Sequence, residues 1–180
     1  RYHHLFADVL RMHLMAEQPD QVSALHRRAS EWYEHNGSTD NAIRHALAAG
    51  DFERAAGLIE LVWSAMGRSY QSSTWLGWVK TLPDELVRLR PVLTVWYAYA
   101  LVGSGDLEAA EIRLKDAGRW LDTTADTAGM VVADEAEFHR LPGMIALLRA
   151  AQALARGDMP EAAKNARRVL DLAPEDAHLM

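Results

Sequence analysis

Three times along this chain a helical pattern is stopped by Gly-Asp and restarted by an apolar residue followed closely by alanines. The three segments are Gly50-Asp51-Phe52-Glu53-Arg54-Ala55-Ala56, Gly105-Asp106-Leu107-Glu108-Ala109-Ala110 and Gly157-Asp158-Met159-Pro160-Glu161-Ala162-Ala163. Ala55, Ala110 and Ala162 fall in register behind their glycines. Glycine accepts the left-handed conformation that ends one helix, and aspartate caps the free N–H groups of the next. A small alanine then lets two antiparallel helices approach closely. A recurring unit of this kind is a helical hairpin, and it predicts an all-α chain. The composition agrees, with 30 alanines among 180 residues and 49% apolar residues, which favours helix over sheet.

Between the turns the apolar residues recur at helical spacing. Tyr2, Leu5, Phe6, Val9, Leu10 and Leu14 make a first stripe, ended at Pro19-Asp20, and Val22, Leu25, Ala29, Trp32 and Tyr33 make a second, closed by Asn36-Gly37. Ser38 to Asn41 offer capping side chains for a short helix through Leu47. Phe52, Ala55, Ala56, Ile59 and Val62 form the next stripe. Two short helical signals come next, one over Thr74 to Lys80 and one starting at Pro83 with Asp84 and Glu85 in its first turn. Asp122 to Leu141 begins as a long loop, and Pro142 suits the first turn of the next helix. Asp158 and Glu161 have the spacing of a capping box.

The third unit fits the roughly 34-residue tetratricopeptide frame best. Ala150, Gly157, Ala162, Val169 and Pro174 take its small, turn, small, apolar and terminating positions. The second unit fits with Ala98, Gly105, Ala110 and Ala117, and the first is a degenerate version. The glycines are 55 and 52 residues apart, so extra material separates the units. The expected architecture is antiparallel hairpins stacked as a tetratricopeptide-like right-handed superhelix, an α-solenoid. Residues 1–37 form an N-terminal helical segment, and 38–180 the repeat region, with hairpins near 38–63, 91–121 and 142–174 and an extra helical segment at 64–90. Because the chain opens on Arg1 in mid-pattern, it reads as part of something longer.

Several function classes are disfavoured. The chain has no cysteine, which removes disulfides, thiolate metal sites and a cysteine nucleophile. Its net charge of −6 gives no overall basic field for nucleic acid or anionic lipid. No apolar run reaches the ~18 residues of a membrane span. His3, His4, His13, His26, His35 and His45 show no His-Glu-x-x-His pattern. No G-x-S-x-G elbow and no G-x-x-x-x-G-K-[ST] phosphate loop occur, so neither hydrolysis nor nucleotide binding is expected here. Arg27-Arg28, Arg88/Arg90 and Arg167-Arg168 read as solvated faces balanced by neighbouring acids.

The aromatic residues carry more weight. Trp32, Tyr33, Trp63 and Trp120 sit on apolar stripes and are expected in the core, whereas Trp75, Trp78, Trp96, Tyr97 and Tyr99 gather around the second hairpin. In a tetratricopeptide frame Val95, Tyr99 and Val102 face the groove in that hairpin, and Leu147, Ala151 and Leu154 in the next. Such a groove is apolar, without a Lys/Asn clamp for a peptide carboxylate. It suits a sugar, a lipid-like effector or an amphipathic helix, with Trp96, Tyr99, Trp75 and Trp78 as candidate ligand-binding residues.

The stretch from Arg1 to Arg11 (RYHHLFADVLR) resembles the segment that closes the ATPase module of large ATP-dependent regulators of the LuxR/MalT type. Leu25 to Glu34, Asn36-Gly37 and Ala42 to Asp51 are similar to the next stretch of that family, as are Trp78 to Leu86 and Arg90-Pro91 to a later one. The resemblance fades through Ala117 and covers about two-thirds of the chain. It implies a cytoplasmic multidomain protein with a nucleotide-binding module, a winged helix, a helical-repeat sensor and a C-terminal helix-turn-helix. This piece would then hold the end of the winged-helix module or its arm and the first repeats. ATP would be bound only by the missing N-terminal module, and DNA by another part. Expected partners are a small-molecule inducer or a protein in the repeat groove, neighbouring domains of the same chain, and further copies in self-association. A free-standing tetratricopeptide-like adaptor is the alternative.

Overall fold

A computed structural model describes residues 9, 12–14, 16–66, 72–121 and 128–172. Among these every regular element is an α-helix and none is a strand. They are α1 (Pro19–His35), α2 (Thr39–Ala48), α3 (Phe52–Met66), α4 (Ser72–Val79), α5 (Asp84–Arg88), α6 (Pro91–Gly103), α7 (Leu107–Arg119), α8 (Glu135–Ala155) and α9 (Met159–Leu172). Tyr2, Leu5, Phe6 and Leu10 of the first expected stripe, and Pro174, lie outside the described residues. The chain divides into two compact units, Arg1–Val62 and Trp63–Met180, and the division falls within α3.

All three Gly-Asp turns use one hydrogen-bond scheme. Gly50, Gly105 and Gly157 have φ of 69°, 86° and 76°, where a side chain would be strained. The aspartate N–H then reaches back across the turn, from Asp51 to Ala46 O at 3.0 Å, Asp106 to Leu101 O at 3.0 Å and Asp158 to Ala153 O at 2.8 Å. These bonds satisfy carbonyls that the ending helix leaves open. The same aspartates turn their carboxylates forward, accepting from the N–H of Arg54 (3.3 Å), Ala109 (3.1 Å) and Glu161 (3.1 Å). One residue therefore closes one helix and opens the next. Ala55, Ala110 and Ala162 are buried behind the turns.

In the first unit α1 packs on α2. The buried Ser30 hydroxyl donates to Ala42 O at 2.8 Å and receives Arg54 Nε at 2.9 Å. Arg54 also pairs with Glu34, and Arg27 Nε with Asp51 at 2.8 Å. These bonds hold α1 over the α2–α3 turn. Trp32, expected in the core, is instead 60% exposed. Its stripe neighbour Leu25 is also exposed, at 42%. Ser38 precedes α2 without capping it; its hydroxyl accepts from Asn41 Nδ2 at 3.0 Å.

In the second unit α6 packs on α7, α8 on α9, and α8 also on α6 and α7. α6 is the central helix: Val92, Leu93, Val95, Ala98 and Leu101 are all buried. Buried Thr94 donates to the carbonyls of Val87 and Arg90, tying the end of α5 to α6. Buried Asp116 on α7 pairs with Arg88 at 3.5 Å and Arg119 at 3.6 Å, while Asp84 on α5 holds Arg88 at 2.7 Å and Arg113 at 2.5 Å. Trp120 is half-buried, with its Nε1 donating to Arg88 O at 2.7 Å.

Pro142 does not start a helix. It lies inside α8, which begins at Glu135 because Asp134 accepts the N–H groups of Ala136 and Glu137 at 2.9 and 3.1 Å. That cap and the acidic first turn offset the hydrogen bond that proline cannot give. The Asp158/Glu161 box is half made, since the Glu161 carboxylate accepts from Lys164 and Asn165 instead of reaching back.

Two of these caps give a direct test. Asp106→Ala and Asp134→Ala should each lower the unfolding free energy by about 1 kcal/mol, with Asp→Asn at either site losing much less. Urea unfolding followed by circular dichroism checks both.

Candidate functional site

The aromatic residues singled out in the sequence meet in the second unit. Trp63, in the last turns of α3, makes an edge contact with Trp75 of α4 at 4.5 Å between ring centroids. It also touches Trp96 at 5.3 Å and Tyr99 at 5.5 Å, both on α6. Trp96 and Tyr99 are 6.0 Å apart. Three helices therefore supply one continuous aromatic cluster.

Burial sorts its members. Trp75 is wholly buried, Trp63 and Trp78 nearly so, Trp96 is half-buried and Tyr99 is 41% exposed. The rings of Trp75 and Trp78 are enclosed by the protein and present no face to a ligand. Trp96 and Tyr99 form the outer end, where an apolar ring with a hydroxyl at its edge can meet a partner. Of the residues expected to face a groove, Val95 is buried, Val102 and Ala151 are partly covered, and Leu147 and Leu154 are exposed on α8. Leu147 and Leu154 are seven residues apart, two helical turns, and so share one side of α8. Basic and amide side chains do gather in this unit, away from the expected groove: Lys115, Arg149, Lys164 and Asn165 line a cavity bounded by α7, α8 and α9.

The first unit holds a group that the sequence did not reveal. His26 on α1 and His45 on α2 bring their Nδ1 atoms within 2.8 Å. One ring must donate and the other accept, so the pair is joined only while at least one is neutral. Tyr33 stacks on His45 at 5.3 Å, with 15° between the planes. Burial first, and the charge of His26 second, hold the His45 pKa below its ordinary value. The two positions are 19 residues apart, and only the α1–α2 hairpin brings them together. Among the described residues no three His, Asp or Glu side chains are grouped to hold a metal ion.

Two experiments separate these roles. Trp75→Ala should cost about 3–5 kcal/mol of stability, because it empties a fully enclosed aromatic site. Tyr99→Ala should cost only about 1 kcal/mol. For the histidines, the unfolded chain binds a proton more readily than folded His45 does. Stability from this site is therefore full above the unfolded pKa of about 6.5 and is lost as pH falls through the lower folded value. Proton NMR should give His45 a midpoint below about 6.5. Acidification should lower the melting temperature less in His45→Gln than in the parent.

No family model and no solved structure matches the chain. Curated proteins similar to parts of it include a protein kinase and two transcriptional regulators. The serine/threonine-protein kinase PknK of Mycobacterium tuberculosis is 39% identical over 100 residues, 56% of this chain and 9% of the kinase. The HTH-type transcriptional regulator AlkS of Pseudomonas putida is 31% identical over 115 residues, 63% of this chain and 13% of AlkS. The HTH-type transcriptional regulator MalT of Klebsiella pneumoniae is 29% identical over 168 residues, 90% of this chain and 17% of MalT. The chain spans less than a fifth of the length of each of these relatives, and it is similar to HTH-type transcriptional regulators over much of its own.

Proposed function

We propose that this chain is a regulatory helical-repeat segment of a LuxR/MalT-like ATP-dependent transcription activator. The observation that carries the reading is the similarity to MalT along 90% of the chain, joined by that to AlkS along 63%. The hairpins joined by Gly-Asp turns support a tetratricopeptide-like solenoid, in which α6–α7 and α8–α9 are successive repeats. Such a segment works by binding and coupling. An effector or partner that prefers one of two arrangements of the repeats shifts the equilibrium by its difference in affinity, and that difference drives activation and self-association.

The exposed end of the aromatic cluster, Trp96 and Tyr99, is the part of the candidate site suited to contact an effector. ATP and DNA would be handled by other modules of a cytoplasmic full-length protein. The name of the kinase relative does not extend catalysis to this segment. The shared stretch is 9% of that protein, and this chain has neither a Gly-rich phosphate loop nor an H-R-D or D-F-G triplet.

The full reading frame tests the proposal. It should encode G-x-x-x-x-G-K-[ST] upstream of Arg1 and a helix-turn-helix downstream of Met180. A frame lacking either one overturns the reading in favour of a free-standing adaptor. In the complete protein, Tyr99→Ala should weaken effector binding, measured by calorimetry, by a larger factor than its small loss of melting temperature accounts for. Unchanged binding in the folded variant removes Tyr99 from the site.

A further inference from the structure

The second unit contains a polar cavity of about 500 Å³, bounded by α7, α8 and α9. A smaller one of about 280 Å³ adjoins it, and the two share Arg149 of α8 with Asn165 and Arg168 of α9. The smaller cavity is otherwise walled by Gly118, Leu121, Pro142, Ile145 and Ala146, a mostly apolar set. The pair therefore has a polar end, an apolar end and a junction that carries two guanidinium groups. This arrangement stands apart from the aromatic cluster and does not depend on the regulatory reading.

The polar end has an excess of positive charge in a chain whose net charge is −6. Five cationic residues line it against three acidic ones. Each acid is already engaged: Glu111 pairs with Arg149 at 3.6 Å, Glu161 with Lys164 at 3.1 Å, and Asp158 caps α9 through the N–H of Glu161. Glu161 is held ionised, its pKa lowered chiefly by the hydrogen bonds from Lys164 and Asn165. Arg156 bonds the neutral Gln152, at 3.2 Å. Among the described residues Lys115 and Arg168 have no carboxylate partner. Two of the lining polar side chains, Gln152 and Asn165, are 2% and 6% exposed, so the wall is a built part of the fold. Uncompensated cations around a recess attract an anion, and a guanidinium matches the planar fork of a carboxylate.

We infer that this pair of cavities binds a small amphiphilic carboxylate. Its anionic head sits between Arg149 and Arg168, and its apolar body lies against Leu121, Pro142, Ile145 and Ala146. The head uses the charge of Arg168, which has no carboxylate partner among the described residues, and shares Arg149 with Glu111, while the body fills space that apolar side chains line. Neither half alone accounts for two cavities joined at the arginines.

Gly118 provides a test independent of charge. It is helical, and a Cβ built there meets nothing within 4 Å, so Gly118→Leu introduces a side chain beside the apolar end without backbone strain. Isothermal calorimetry on the 180-residue chain would use 2-naphthoate as the probe, with 2-naphthylmethanol and inorganic phosphate as controls. Naphthoate should bind at least about tenfold more tightly than either control, since one lacks the charge and the other the apolar body. Arg168→Glu, a change at an exposed residue, should weaken it at least about tenfold. Gly118→Leu should weaken it comparably while melting no lower than the parent. Absence of saturable binding up to about 1 mM, equal affinity for either control, or unchanged affinity in either folded variant would overturn the assignment.

Discussion

The hydrogen bonds around Asp51, Asp106 and Asp158 are what the rest of the structure depends on. Each aspartate uses its N–H to close the preceding helix and its carboxylate to open the following one. A two-residue hinge of this kind leaves little freedom in how the two helices leave the turn. It also buries Ala55, Ala110 and Ala162 where a larger side chain would push the helices apart. The left-handed glycine conformation costs little because glycine carries no Cβ. Burial along α6 and α8 then stabilises the hairpins that the turns have arranged, since each helix presents its apolar residues to a partner already fixed in direction.

Within the second unit two kinds of packing divide the work. Apolar burial centres on α6, which supplies Trp96 and Tyr99 to an aromatic cluster running from buried Trp75 of α4 through Trp63 of α3 out to exposed Tyr99. Charge is concentrated on α7 and its neighbours. Asp84 and Asp116 gather Arg88, Arg113 and Arg119, and Arg113 also lies over the Tyr97 ring at 4.9 Å. Further along the same helix Glu111 reaches Arg149 on α8. Lys115 and Arg168, which have no such partner among the described residues, face the cavity shared by α7, α8 and α9. An aromatic surface and a cationic recess thus belong to one small helical unit, and both arise from how its hairpins pack.

Helix type and turn position were legible in the sequence because both are local. A glycine followed by a capping aspartate acts within one turn of chain, and the spacing of apolar residues reports a helix wherever it persists. Where local signals competed, the sequence misled. Pro142 is a helix-start residue in isolation, yet Asp134 caps α8 before proline is reached. Ser38 has the right chemistry to cap α2, but its hydroxyl is taken by Asn41. The tryptophans were placed by stripe alone. Trp63 is in the core, while Trp32 on an equally apolar-looking stripe is exposed.

The sequence by itself determined an all-helical chain with hairpin turns at Gly50, Gly105 and Gly157, and a cluster of aromatics around α6. Tertiary structure alone decided which aromatics are enclosed and which reach the surface, because burial depends on neighbours from distant parts of the chain. It also decided the contact between His26 and His45 and the convergence of Arg149 with Arg168. Such pairs are joined by no spacing rule: they meet where two helices cross, and the crossing is fixed by packing.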